Sequence, residues 1–150
     1  MSLSFKDKKS VTFAVALLLL LKGLTQFALY QAGFTALTAD EFGRTLTAAR
    51  WIQHPGINWH DAWLPFHAYL FGAALLFKWE LLWVPRLLTL CSGFLSIVVM
   101  YLLTSSLFKN NIAGLISALL LSVNPAHIWL SATPLTEMPN TLCILAGVWA

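Results

Sequence analysis

Charge is what this sequence lacks. Of its 150 residues nine are Lys or Arg and six are Asp or Glu, so 10% are charged, against roughly 25% in an ordinary soluble domain. The stretch from Leu81 to Ala150 carries only Arg86, Lys109 and Glu137, too few to clothe a water-facing shell. A soluble fold of this length is therefore excluded, and the chain belongs in a bilayer that it crosses several times. Cysteine is scarce too. Cys91 and Cys143 fall inside apolar runs, with neither the paired spacing of a zinc site nor the loop setting of a disulfide. The formal net charge is only +3, and Lys6, Lys8 and Lys9 crowd the first nine positions. Nucleic acid is excluded as a partner on that pattern.

What is present is a succession of long apolar runs. The first, residues 11–37, holds Lys22, Gln26 and Gln31 and exceeds the about 20 residues a span needs. It continues too far to be the apolar core of a cleaved signal peptide. Lys22 is expensive in the interior of such a span, and snorkelling of its ammonium toward the interface is the expected remedy. The basic cluster at positions 6, 8 and 9 puts the N-terminus in the cytoplasm, so residues 38–82 form an extracytoplasmic loop. Within it, Thr38 and Glu41 have capping-box spacing. A helix is predicted from there to about Gln53, with Leu46, Ala49 and Trp51 offered to the membrane and a turn at Pro55-Gly56.

The apolar piece from Pro65 to Trp79 would reach about 22 Å, short of the ~30 Å hydrocarbon core. A juxtamembrane helix that dips without crossing fits that length, and a tilted span is the alternative. The spans that follow are residues 83–107 and 112–129, joined by a tight polar turn at Lys109-Asn110-Asn111, with a bend at Asn124-Pro125. A further helix starts near Thr136 and fills 136–150. Gly114, Ala118 and Ser122 form a small-residue stripe that admits a close helix neighbour. The expected architecture is all-α: a multi-pass transmembrane helix bundle with juxtamembrane helices in its first outer loop. The whole of 1–150 is expected to be the N-terminal part of a single polytopic domain in the plasma (inner) membrane, because the final apolar run stops without a cap or a basic flank.

Several short motifs occur in order: Asp40-Glu41-Phe42-Gly43-Arg44; Asp61-Ala62-Trp63-Leu64-Pro65 running into Ala68-Tyr69-Leu70; Pro85-Arg86-Leu87-Leu88; Asn124-Pro125; and Leu135-Thr136-Glu137. Together they resemble the polyprenyl-phosphate-sugar-dependent membrane glycosyltransferases of the C-type fold, closest in pattern to the protein O-mannosyltransferase and lipid A aminoarabinose transferase branch. After Asp61 the chain has Trp63-Leu64-Pro65 where the aminoarabinose transferases carry a lysine and paired prolines, so the donor sugar stays open. The resemblance implies an enzyme, incomplete as this piece alone. It would move a sugar from a polyprenyl-phosphate carrier to an extracytoplasmic lipid, glycan or protein acceptor by inverting displacement.

Such a reaction needs a base for the acceptor hydroxyl and cations for the departing phosphate. The resemblance implies an acidic pair in the first outer loop, of which Asp40 is the candidate base because Glu41 has a capping role opposite Thr38, and an assisting acid at the start of a helix in a second outer loop, matched by Glu137. Glu41, Arg44, Asp61, Trp63 and Arg86 are the candidate substrate contacts. Each has a plainer reading: Asp40 and Glu41 as acids favoured by a helix N-terminus, Arg44 in an intrahelical ion pair, and Arg86 as a snorkelling arginine. Glu137, between Thr136 and Pro139, also suits a simple helix start. His54, His60, Asp61 and His67 with Asp40 match no compact ligand spacing, so no metal site is predicted. Relatives differ in using a divalent cation, and no other cofactor is implied. A polytopic transporter or lipid flippase with acids at the membrane edge is the alternative reading.

Overall fold

The computed structural model describes residues 8–34, 39–56 and 65–150, which form seven α-helices. They are α1 (Lys8–Gln31), α2 (Ala39–Gln53), α3 (Phe66–Phe77), α4 (Trp83–Phe108), α5 (Asn111–Ser122), α6 (Pro125–Ala132) and α7 (Glu137–Trp149). Helices α1 and α4 are each long and apolar enough to cross a membrane, and α5 with α6 makes a third such element if the bent pair is one span. The all-α expectation therefore holds among the described residues.

Local chemistry fixes the helix ends. The first span was expected to run to Leu37, but α1 stops at Gln31. Gly33 adopts φ +81°, the Gly33 amide donates to the Tyr30 carbonyl at 3.0 Å, and the Phe34 amide donates to the Leu29 carbonyl at 3.2 Å. This is a Schellman ending, which a glycine permits at low cost in the left-handed region. Helix α4 starts on Glu80, whose carboxylate accepts the Leu82 amide at 3.2 Å and also the Trp83 amide. An acid at this position satisfies amides that have no partner inside the helix and complements its dipole.

The predicted polar turn at 109–111 is present. Lys109 takes the left-handed conformation and the Asn110 side chain accepts the Ile112 and Ala113 amides. So is the predicted bend. Asn124 Oδ1 accepts the His127 amide at 3.1 Å, Pro125 opens α6, and the axes of α5 and α6 meet at 61°. The piece expected over Pro65 to Trp79 is the twelve-residue α3, about 18 Å long at 1.5 Å per residue. That is well short of a hydrocarbon core.

Helix α4 is the axis of the assembly and packs against α1, α3, α5, α6 and α7, while α2 lies along α3. Small residues permit these contacts. Gly114, Ala118 and Ser122 are all buried, as the stripe predicted. A Cβ at Gly114 would stand 2.9 Å from the Tyr101 carbonyl oxygen and from Ser105 Cβ. Between α2 and α3, Ala48 and Ala49 pack on Phe71 and Leu75. Ala49 therefore faces α3 instead of lipid, and Trp51 leans over Gly72, where a Cβ would fall 2.5 Å from Cε3 of its ring. The outer face of α1 leaves Phe13, Leu17, Leu20, Leu24 and Phe27 exposed, a patch that water does not favour and acyl chains do.

Replacing Gly114 by Leu should force α5 off α4 and lower stability by about 1–3 kcal/mol, the usual cost of overpacking. Gly147, with nothing within 4 Å of its would-be Cβ, should tolerate Leu within about 0.5 kcal/mol. Thermal melts of the two variants in detergent check this, and equal melting temperatures would contradict the packing described.

Candidate functional site

The acidic pair opens α2, and successive helical residues point about 100° apart. Asp40 and Glu41 accordingly separate: Asp40 is exposed, whereas Glu41 is 0% exposed. Glu41 is buried on the side of α2 that also buries Thr45 and Ala48. Arg44, one turn further, reaches across to α7. Its Nη1 lies 3.1 Å from Glu137 Oε2 and its Nη2 3.5 Å from Oε1, and Nη1 also donates to the Thr136 hydroxyl. The guanidinium fork thus engages both oxygens of one carboxylate, the geometry that distinguishes Arg from Lys. Arg44 is 11% exposed and Glu137 46%. This pair joins α2 to the start of α7.

Arg86 sits in the first turn of α4, 8% exposed, with its guanidinium carbon 5.8 Å from the centroid of the Trp83 ring. Trp83 in turn meets Tyr30 of α1 edge to face, centroids 5.5 Å apart. Arg86 lines a cleft of about 260 Å³ whose other walls include Tyr30, Phe34, Leu87, Phe94 and Ser131. The cleft lies between α1, α4 and the end of α6, and is mostly apolar, with polar side-chain atoms on Gln26, Tyr30, Trp83, Arg86 and Ser131. A buried cation heading an apolar cleft suits an anionic group attached to a hydrocarbon tail.

Of the residues singled out in the sequence, the structure joins Arg44 to Glu137, keeps Asp40 at the surface and puts Arg86 in the cleft. Asp61, Trp63 and His60, and the Thr38 cap, lie outside the described residues. His67 is buried in α3 and His54 is exposed. Among the described residues no group of three His, Cys, Asp or Glu is placed to hold a metal ion.

Lys22 does not snorkel. It is 0% exposed, and its Nζ lies 3.1 Å from His127 Nδ1 and 3.2 Å from the His127 carbonyl oxygen. The other ring nitrogen, Nε2, is 2.8 Å from Ser96 Oγ. One turn along α1, Gln26 donates to the Ile128 carbonyl at 2.7 Å. A partner 105 positions away is cheaper than stretching the ammonium to an interface half the helix distant. His127 and Ser96 were missed from the sequence. The available signal was a lone histidine in the apolar run 112–129, matched by a lysine in the first.

Compared with known proteins, the sequence matches no family model, no curated protein and no solved structure.

Replacing Arg44 by Gln or Glu137 by Gln should each destabilise the protein by about 1 kcal/mol or less, as half-exposed pairs do. The double variant should lose little more than the worse single. Melts of the four proteins in detergent test the pairing, and strictly additive losses would argue against it.

Proposed function

We propose that this chain acts in a multi-pass membrane glycosyltransferase that takes its sugar from a polyprenyl-phosphate carrier. The observation that carries the reading is the Arg44–Glu137 pair. It puts the acids of α2 and the acid that opens α7 at one end of the bundle, as a shared site requires. With the N-terminus cytoplasmic, α1 delivers α2 to the outer side, α3 dips without crossing, α4 returns, and bent α5–α6 brings Glu137 back out. The exposed Trp79, Trp83 and Trp129 suit the interface such a topology gives them.

The chemistry follows from which groups are accessible. Glu137 is occupied by Arg44 and Glu41 is buried, so Asp40 is the acid that an incoming acceptor can reach. Its carboxylate takes the proton of the acceptor hydroxyl as that oxygen bonds to the anomeric carbon from the face opposite the phosphate. The bond from the anomeric carbon to the phosphate oxygen breaks and the electron pair leaves with the polyprenyl phosphate, giving inversion. Arg86 holds that phosphate through charge-assisted hydrogen bonds, while the cleft beneath receives the first isoprene units. Glu137 keeps Arg44 and the α2 end in register. Asp61 and Trp63 are proposed as further donor or acceptor contacts on the resemblance alone, and the acceptor class and any divalent cation stay as the resemblance leaves them.

One observation favours a second reading, a polytopic transporter or lipid flippase: the ionisable Lys22–His127 pair inside the bundle, since such groups often mark proton or substrate paths.

In the full-length protein reconstituted in bilayers, Asp40→Asn should lower transfer from a radiolabelled polyprenyl-phosphate-linked sugar by about 10²-fold or more, with insertion unchanged. Turnover at the wild-type rate would remove Asp40 as base. Arg86→Gln should raise the KM for the same donor by about tenfold or more, since it removes a charged hydrogen bond of about 1.5–3 kcal/mol. An unchanged KM would place the phosphate elsewhere.

A further inference from the structure

The cluster at the centre of α1, α4 and α6 holds two basic side chains in contact. A charged Lys22 has only donors, so His127 Nδ1 at 3.1 Å must accept. The imidazole hydrogen then sits on Nε2 and points to Ser96 Oγ at 2.8 Å, and the Ser96 hydroxyl donates onward to the Gly93 carbonyl at 2.8 Å. Moving the proton from Nζ to Nδ1 reverses the first bond and leaves the others as they are. Both arrangements carry one positive charge and satisfy every polar atom of the chain.

A second proton has no such accommodation. Adding it from water to Nδ1 of a neutral His127 beside a charged Lys22 turns the acceptor into a donor. That breaks the hydrogen bond between Lys22 Nζ and His127 Nδ1, leaving the one to the His127 carbonyl, and sets two like charges against each other in an apolar interior, where screening is weak. Nothing nearby offsets this. Among the described residues no carboxylate bonds Lys22 or His127. Helix α5, packed on α1 and α6, brings no titratable side chain. Helix α4 faces the pair with neutral Ser96, its Arg86 is a further positive charge lining the adjoining cleft, and its Cys91 and Tyr101 lie elsewhere on the helix, Cys91 exposed and Tyr101 bonded to Asn111. Glu137 of α7 is taken up by Arg44, and Cys143 of α7 is exposed. The pair also joins two walls of the cleft: Gly23 and Gln26 flank Lys22 on α1, and Ser131, whose hydroxyl donates to the His127 carbonyl at 2.6 Å, lies on α6.

We propose that Lys22 and His127 form a buried binding site for a single proton, and that uptake of a second proton parts α1 from α6 and widens the cleft headed by Arg86. This holds whether the cleft receives a sugar donor or another lipid, so its test does not depend on transfer activity.

The test uses the full-length protein in lipid nanodiscs, with Cys91 and Cys143 replaced by Ala and spin labels on Leu24→Cys and Trp129→Cys, both at exposed positions of α1 and α6. Distances are read by double electron–electron resonance at about pH 8 and about pH 4, the lower value because the second proton must enter against the Lys22 charge. The expected result is a single distance population at the higher pH and the gain of a longer, reversible one at the lower. Lys22→Met and His127→Gln each leave only one basic group, so both should lose the longer population while keeping the high-pH distance. The proposal is overturned if the labelled protein gives one unchanged distribution at both pH values, or if both variants respond to pH as the parent does.

Discussion

A polar side chain inside an apolar helix bundle can only be satisfied by another part of the bundle, and that constraint shapes this molecule throughout. Where the side chain is short, its own helix supplies the partner. The hydroxyls of Ser92, Ser96, Ser117, Ser122 and Ser131 all donate to carbonyls three or four residues back, so they pack as small groups and let helices approach. Where it is long, the partner lies on a different helix and fixes the assembly. Lys22 and Gln26 tie α1 to α6, and Arg44 ties α2 to α7. Apolar contacts give the bundle its cohesion, while these few polar ties decide which helix lies beside which.

The ties also mark out three regions of the molecule. One end gathers Glu41, Arg44, Thr136 and Glu137 around the meeting of α2 with α7, with Asp40 outside them. The cleft of Arg86 opens between α1, α4 and the end of α6, and only Thr133 to Thr136 separate α6 from Glu137. The interior keeps the Lys22–His127–Ser96 chain against the same cleft. Among the described residues, the charged groups that join helices or line the cleft are Arg44 with Glu137 at the end, Arg86 in the cleft and Lys22 in the core, whereas Glu80 and Lys109 serve the ends of α4. In the proposed enzyme the cleft supplies the leaving-group contact and the α2 end supplies the base, so a change in the spacing of α1 and α6 would act on the former without touching the latter.

Much of the frame was legible in the sequence because it follows from local rules. The extent of α4, the turn at Lys109 to Asn111, the bend at Asn124-Pro125 and the burial of Gly114, Ala118 and Ser122 all come from run length, turn chemistry or helical spacing. The end of α1 was misjudged because apolar residues continue to Leu37, and hydropathy does not register that Gly33 offers a left-handed ending. Ala49 and Trp51 were given to lipid because nothing local reveals that α3 covers them. At the site, the sequence singled out the acids but not their different exposures, which depend on how α2 is rotated against its neighbours. The fate of Lys22 was beyond any local rule. A lone lysine in a span reads as a snorkelling one until a histidine more than a hundred residues away is seen beside it.

Everything proposed for the site turns on whether the acids of α2 and the acid of α7 face the same aqueous compartment. In a Cys91→Ala, Cys143→Ala background, a single cysteine in place of Asp40 or Glu137 is labelled in intact cells with a membrane-impermeant thiol reagent. The account predicts labelling of both positions from outside without permeabilisation. Labelling of position 137 from the cytoplasmic side alone would mean that α3 crosses the membrane, would be incompatible with the Arg44–Glu137 contact, and would leave transport as the stronger reading.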